Sequence, residues 1–104
     1  MSEHDIKIFQ QAIDHYGDVC QQDKFIEEAS ELTKALLKLR YAKPTGVEHD
    51  ILSDAVAEEM ADVEIMLMQL HMIYQNHEKV SEYRTKKIER LERRLKSDKL
   101  WEAV

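Results

Sequence analysis

The chain has 104 residues, 35% charged and 43% hydrophobic, with a net charge of −6, which is the size and balance of one globular domain, expected to run over 1–104. Two glycines, Gly17 and Gly46, and one proline, Pro44, are too few turn formers for an all-β fold. No apolar stretch reaches the ~20 residues of a membrane span, the polar start Met1-Ser2-Glu3-His4-Asp5 is unlike a signal peptide, and the single cysteine, Cys20, has no intrachain partner.

Apolar periodicity predicts four helices. Over 4–16, Ile6, Phe9, Ile13 and Tyr16 recur at spacings of three and four, and Gly17 suits a left-handed cap. Over 21–41, Phe25, Ala29, Leu32, Leu36 and Leu39 form the stripe, and Lys34, Lys38 and Arg40 sit where the helix dipole favours cations. Residues 42–50 hold Pro44 and Gly46 and are expected to be a loop. The third helix is expected over 52–76, with Ser53 or Asp54 as its cap. Within 63–74, nine of twelve residues are apolar and occupy every face, so this helix needs cover all round. Three other helices of a short chain hardly supply that cover, so a subunit interface is expected along it. The fourth helix, over 79–97, carries Val80, Ile88, Leu91 and Leu95, with Tyr83 or Arg84 between them. Trp101 and the tail after it either cover an end of the bundle or fray. The expected architecture is an all-α, four-helix bundle-like subunit that self-associates through its apolar third helix.

Charge is unevenly spread. Residues 1–78 hold 6 basic and 16 acidic side chains, whereas 79–99 hold 9 basic and 4 acidic ones. An acidic body beside a basic segment suits a site for both cations and anions, and equally suits a solvated helix face. Two acidic pentads stand out, Glu27-Glu28-Ala29-Ser30-Glu31 and Glu58-Glu59-Met60-Ala61-Asp62. Each places carboxylates at i,i+3 and i,i+4 beside an apolar stripe, where like charges repel. Two such helices packed antiparallel would bring the acids to one point, and a hard divalent cation would relieve the repulsion. The competing reading is a solvated acidic face with surface ion pairs to Lys24, Lys34 and Lys38.

The pattern Glu27-Glu28-x-x-Glu31 followed by Glu59-x-x-Asp62 resembles the EExxE…ExxD signature of the MazG-like, all-α nucleoside triphosphate pyrophosphohydrolases, small bacterial and phage members included. Three ordered blocks carry the resemblance, 25–38, 56–67 and 86–95, and together they cover roughly residues 20–96. The resemblance implies that Glu28, Glu31, Glu59 and Asp62 ligate the metal, with Glu27 and Glu58 as neighbouring acids that orient or activate water. It implies Mg²⁺ as cofactor, with Mn²⁺ as a substitute, and cleavage of a ribo- or deoxynucleoside triphosphate to the monophosphate and pyrophosphate. It also implies phosphate contacts from Lys87 and Arg90, an i,i+3 pair, and from Arg84 on a neighbouring turn. Many members carry asparagine directly after the equivalent lysine, and here that residue is Ile88.

The implied partners are the nucleoside triphosphate and further copies of the chain, as a dimer or tetramer, with neither nucleic acid nor membrane, and the implied location is cytoplasmic. A non-catalytic helical module that binds a nucleotide or a protein is the alternative. Aromatics and glutamines near the start of the chain (Phe9, Gln10, Tyr16, Gln21, Gln22, Phe25) fit both base contacts and core stripes, so no base preference follows. The five histidines lack zinc spacing, and no glycine-rich phosphate loop occurs.

Overall fold

The computed structural model describes residues 1–102, with side chains described through Lys99. The expected roles for Trp101 and the tail therefore lie outside the described side chains. The chain forms α1 (Glu3–Tyr16), α2 (Asp18–Tyr41), α3 (Val47–Tyr74) and α4 (His77–Glu102), with no strand among the described residues. The all-α class with four helices is as the periodicity indicates. None of these helices is long and apolar enough to cross a membrane.

Local chemistry explains the boundaries. Ser2 opens α1 with a capping box: Asp5 N donates to Ser2 Oγ at 3.1 Å, and Ser2 N donates to Asp5 Oδ2 at 3.3 Å. Gly17 both ends α1 and precedes α2, so a single residue turns the chain. It has φ +92° and ψ 156°, which is not the expected left-handed helical cap but an extended conformation at positive φ that suits glycine. That tight joint lets α2 begin at Asp18, three residues before its expected start. The 42–50 loop is also shorter than expected: Gly46, at φ +105°, is its last residue, and α3 begins at Val47. Ser53 and Asp54 consequently lie inside α3 rather than capping it.

Residues Met1–Tyr74 form one compact unit, and α4 belongs to a second that begins at Gln75. In the first unit, α2 and α3 run antiparallel across the short 42–46 connection. Their register is pinned near the α2 start by two hydrogen bonds. Gln21 Nε2 donates to Gln69 Oε1 at 2.6 Å, and the Tyr74 hydroxyl donates to Gln22 Oε1 at 2.6 Å. The buried apolar residues are Ile13, Val56 and Met66, joined by the buried amides of Gln21 and Gln69. Among the described residues no side chain is fully enclosed, a thin core even for a small unit. In the 63–74 stretch, Met66 and Gln69 face inward, whereas Ile65, Leu67 and Tyr74 are exposed.

The second unit presents α4 as a single amphipathic helix. Tyr83, Ile88, Leu91 and Leu95 are exposed along it, flanked by the basic side chains.

Gly17→Ala tests the α1–α2 joint. No atom lies within 4 Å of the position a Cβ would take, so the cost is backbone strain alone. We expect a loss of about 1–3 kcal/mol in folding stability, read from the urea midpoint. An unchanged midpoint would mean that the joint does not require positive φ.

Candidate functional site

The antiparallel packing of α2 on α3 sets Glu28 opposite Glu59 and Asp62. One carboxylate oxygen from each of the three lies within 4.8 Å of the others. Two Mg²⁺–O bonds of about 2.1 Å placed in line span about 4.2 Å, so small side-chain rotations would close the set around one cation. The donors are all carboxylate oxygens, the ligand type that hard divalent cations take.

Each acid has a distinct surrounding. The Glu28 side chain is 13% exposed and accepts Lys24 Nζ at 3.1 Å. This contact, followed by the charges of Glu27 and Glu28, raises the Lys24 ammonium above its ordinary value. Glu59 is half-buried, and its Oε2 is buried without a hydrogen-bond partner. Burial first, and then the charges of Asp62, Glu28, Glu31 and Glu58, push its carboxyl above the ordinary 4.5. A buried acceptor with no donor is costly, and a cation held by the Glu59 carboxylate would offset that cost. The residues present therefore fit a divalent ion.

The other acids stand further out. Glu31 is 45% exposed at the side chain and lies 3.4 Å from Lys34 Nζ. It does not join the close group, although its charge still acts on Glu59. Glu27 is exposed and pairs with Lys24 at 3.6 Å, and Glu58 is exposed on α3. Ser30 and Thr33 donate their hydroxyls back to the carbonyls of Ile26 and Ala29, within the helix. Glu27 and Glu31 are thus left to their lysine partners, Lys24 and Lys34.

Beside the acids a cavity of about 500 Å³ opens between α1, α2 and α3, lined by Tyr16, Gln21, Asp23, Lys24, Glu27 and Met66. Cys20 is a free, exposed thiol on its rim. Sequence reasoning placed Tyr16 and Gln21 among residues able to meet a base, but missed the pairing of Gln21 with Gln69. The available signal was Gln69 itself, an amide in the middle of the apolar 63–74 run.

Arg84, Lys87 and Arg90 are exposed on α4 in the second unit. Arg84 and Lys87 border a shallow apolar depression with Val80, Tyr83, Ile88 and Leu91. On the same helix Lys96 pairs with Glu92 at 3.0 Å, and Lys79 and Lys86 approach the Tyr83 ring at 5.8 and 6.0 Å.

The raised Glu59 carboxyl has a defined consequence for stability. As pH rises from 4.5 through the raised value, the folded chain keeps a proton that the unfolded chain has already released. Stability therefore falls across that window, and above it the folded chain carries the full cost of the ionised, poorly solvated carboxylate. We expect Glu59→Gln to melt at a higher temperature than the native chain at pH 7 in EDTA, and to lose less stability between pH 4.5 and 7. A variant that melts at the same or a lower temperature would show that Glu59 carries no such penalty.

No family model, curated protein or solved structure matches this chain, so the functional reading rests on its own residues.

Proposed function

We propose that the protein is a divalent-cation-dependent nucleoside triphosphate pyrophosphohydrolase. The observation that carries this reading is the convergence of Glu28, Glu59 and Asp62, in which the Glu59 carboxylate also has a buried oxygen, Oε2, without a hydrogen-bond partner. The resemblance of the two acidic pentads to the MazG-like signature supports it. The reaction adds water across a phosphoric anhydride: the water oxygen bonds to phosphorus, the bridging P–O bond breaks, and nucleoside monophosphate and pyrophosphate leave.

Glu28, Glu59 and Asp62 would hold Mg²⁺ or Mn²⁺, with Glu31 one turn from Glu28 on α2. Bound there, the cation offsets triphosphate charge and lowers the pKa of an attacking water. The chain's own part is to position that water and take its proton. Glu58 and Glu27 are exposed carboxylates beside the ligand set and serve as acceptors. Lys24, which pairs with Glu28 and Glu27, partly offsets their charge until a cation binds. The resemblance implies phosphate contacts from Lys87, Arg84 and Arg90 on α4, and arginine is suited to forked contacts with phosphate. A cytoplasmic location follows from the proposed substrate.

The same reading includes self-association as a dimer or tetramer. The exposed Ile65 and Leu67 border a shallow cavity of about 260 Å³ with Phe9 and Met68. Covering this face would complete the thin core.

Two measurements test the proposal. Incubation with a panel of ribo- and deoxynucleoside triphosphates and Mg²⁺ should yield monophosphate and pyrophosphate by ion-exchange chromatography. Replacing residues around metal ligands costs 10–100-fold, so Glu28→Gln and Glu59→Gln should each lose at least about 100-fold while remaining helical, and EDTA should abolish product. No product from folded protein would favour the helical interaction module, a reading suited to the exposed stripe of Tyr83, Ile88, Leu91 and Leu95. Light scattering at micromolar concentration should report a dimer or larger, and Leu67→Glu a smaller species. A monomeric native chain would contradict the self-association.

A further inference from the structure

Lys24 joins the converged acids to the cavity beside them. It lines that cavity, and its Nζ lies 3.1 Å from Glu28 Oε1 and 3.6 Å from Glu27 Oε2. The spacing along α2 makes this possible, because Lys24 precedes Glu27 by three residues and Glu28 by four and so shares a helix face with both. The two carboxylates differ. Glu27 is exposed, and such a pair is weak. Glu28 is shielded from water and belongs to the close group of three acids, so Lys24 is a counter-charge that water does not replace. The pair is not explained as support for the helix, since lysine placed before glutamate is the weaker order at this spacing. Lys24 itself is 47% exposed. A lysine ammonium rides on a flexible four-carbon stem, so it can leave Glu28 without disturbing the packing.

We propose that Lys24 is a resident counter-ion of the acidic centre: it offsets the Glu28 charge while no cation is bound, and it competes with a divalent cation for that carboxylate, thereby setting the cation affinity of the site. The inference rests on the cation site proposed above. A divalent cation held by Glu28 would stand one carboxylate away from the ammonium, inside the screening length of about 8 Å at physiological salt. Charges of +2 and +1 at that separation repel enough, even at the dielectric of water, to weaken binding about fivefold. Lys24 escapes the repulsion only by swinging away, and it then gives up its ion pairs with Glu28 and Glu27. Staying and leaving both subtract from cation affinity. A lysine that merely braced Glu28 as a ligand would have the opposite sign, because its loss would loosen the carboxylate and weaken cation binding.

The test is Mn²⁺ binding by the full chain at constant ionic strength, followed by electron paramagnetic resonance, for the native protein, Lys24→Gln, Lys24→Met and Lys24→Arg. Glutamine, methionine and arginine match lysine in helix propensity, so all three variants should keep the native helicity. The two neutral variants should each bind Mn²⁺ at least about threefold tighter than the native chain. Lys24→Arg, which keeps the charge, should bind no more tightly than the native chain. Melting gives a second reading. In EDTA the neutral variants should melt below the native chain, having lost the counter-charge, and saturating Mn²⁺ should raise their melting temperature by more. Neutral variants that bind Mn²⁺ equally or more weakly, or that melt above the native chain in EDTA, would overturn the inference. The native titration separates the two claims. Saturable native binding with unchanged variants removes the role of Lys24 and leaves the cation site standing, whereas a native chain without saturable binding removes both.

Discussion

Like charges held together across a helix pair are the constraint on which this molecule is organised. Glu28, Glu59 and Asp62 would separate if α2 and α3 were free to slide or roll. They are prevented by the short 42–46 connection at one end of the hairpin and by the Gln21–Gln69 and Gln22–Tyr74 hydrogen bonds at the other. The register that buries the two glutamines also sets the carboxylates opposite one another. Its electrostatic cost is concentrated on Glu59, whose buried Oε2 has no donor. Proteins seldom keep such a group without a compensating ligand or role, and a hard divalent cation is the simplest compensation.

The thin core belongs to the same picture. Ile13, Val56 and Met66 are the buried apolar residues of the first unit, and none is fully enclosed. Apolar side chains that a larger domain would cover, such as Ile65 and Leu67, remain at the surface. A helix pair carrying a repulsive acidic centre on so small a core would gain from the ion and the second copy proposed above, since each would bind the folded state alone. The amphipathic stripe of α4 is exposed in the same way, with basic side chains along its flanks.

Much of the fold was legible because its signals are local. The 3.6-residue stripes located all four helices, and the acid pairs at i,i+3 beside those stripes marked Glu28, Glu59 and Asp62. Three kinds of information were not local. The helix starts moved because Gly17 and Gly46 turn the chain at positive φ in fewer residues than their neighbourhoods suggest. Glu31 matches the pattern as well as Glu28 does, yet only the rotation of α2 against α3 decides which of them points inward; Glu28 does, while Glu31 leans toward Lys34. The Gln21–Gln69 pair joins residues 48 positions apart. Within the sequence, Gln69 merely interrupts an apolar run, and its partner becomes visible only once the helices are packed.

The most direct test of the central claim is a Mn²⁺ titration followed by electron paramagnetic resonance, comparing the native chain with Glu59→Gln. The expected result is saturable loss of the free Mn²⁺ signal in the native chain, competition by Mg²⁺, and at least about 100-fold weaker binding in the variant. Equal, weak and unsaturable binding by both proteins would mean that the three carboxylates are an acidic surface and not a metal site.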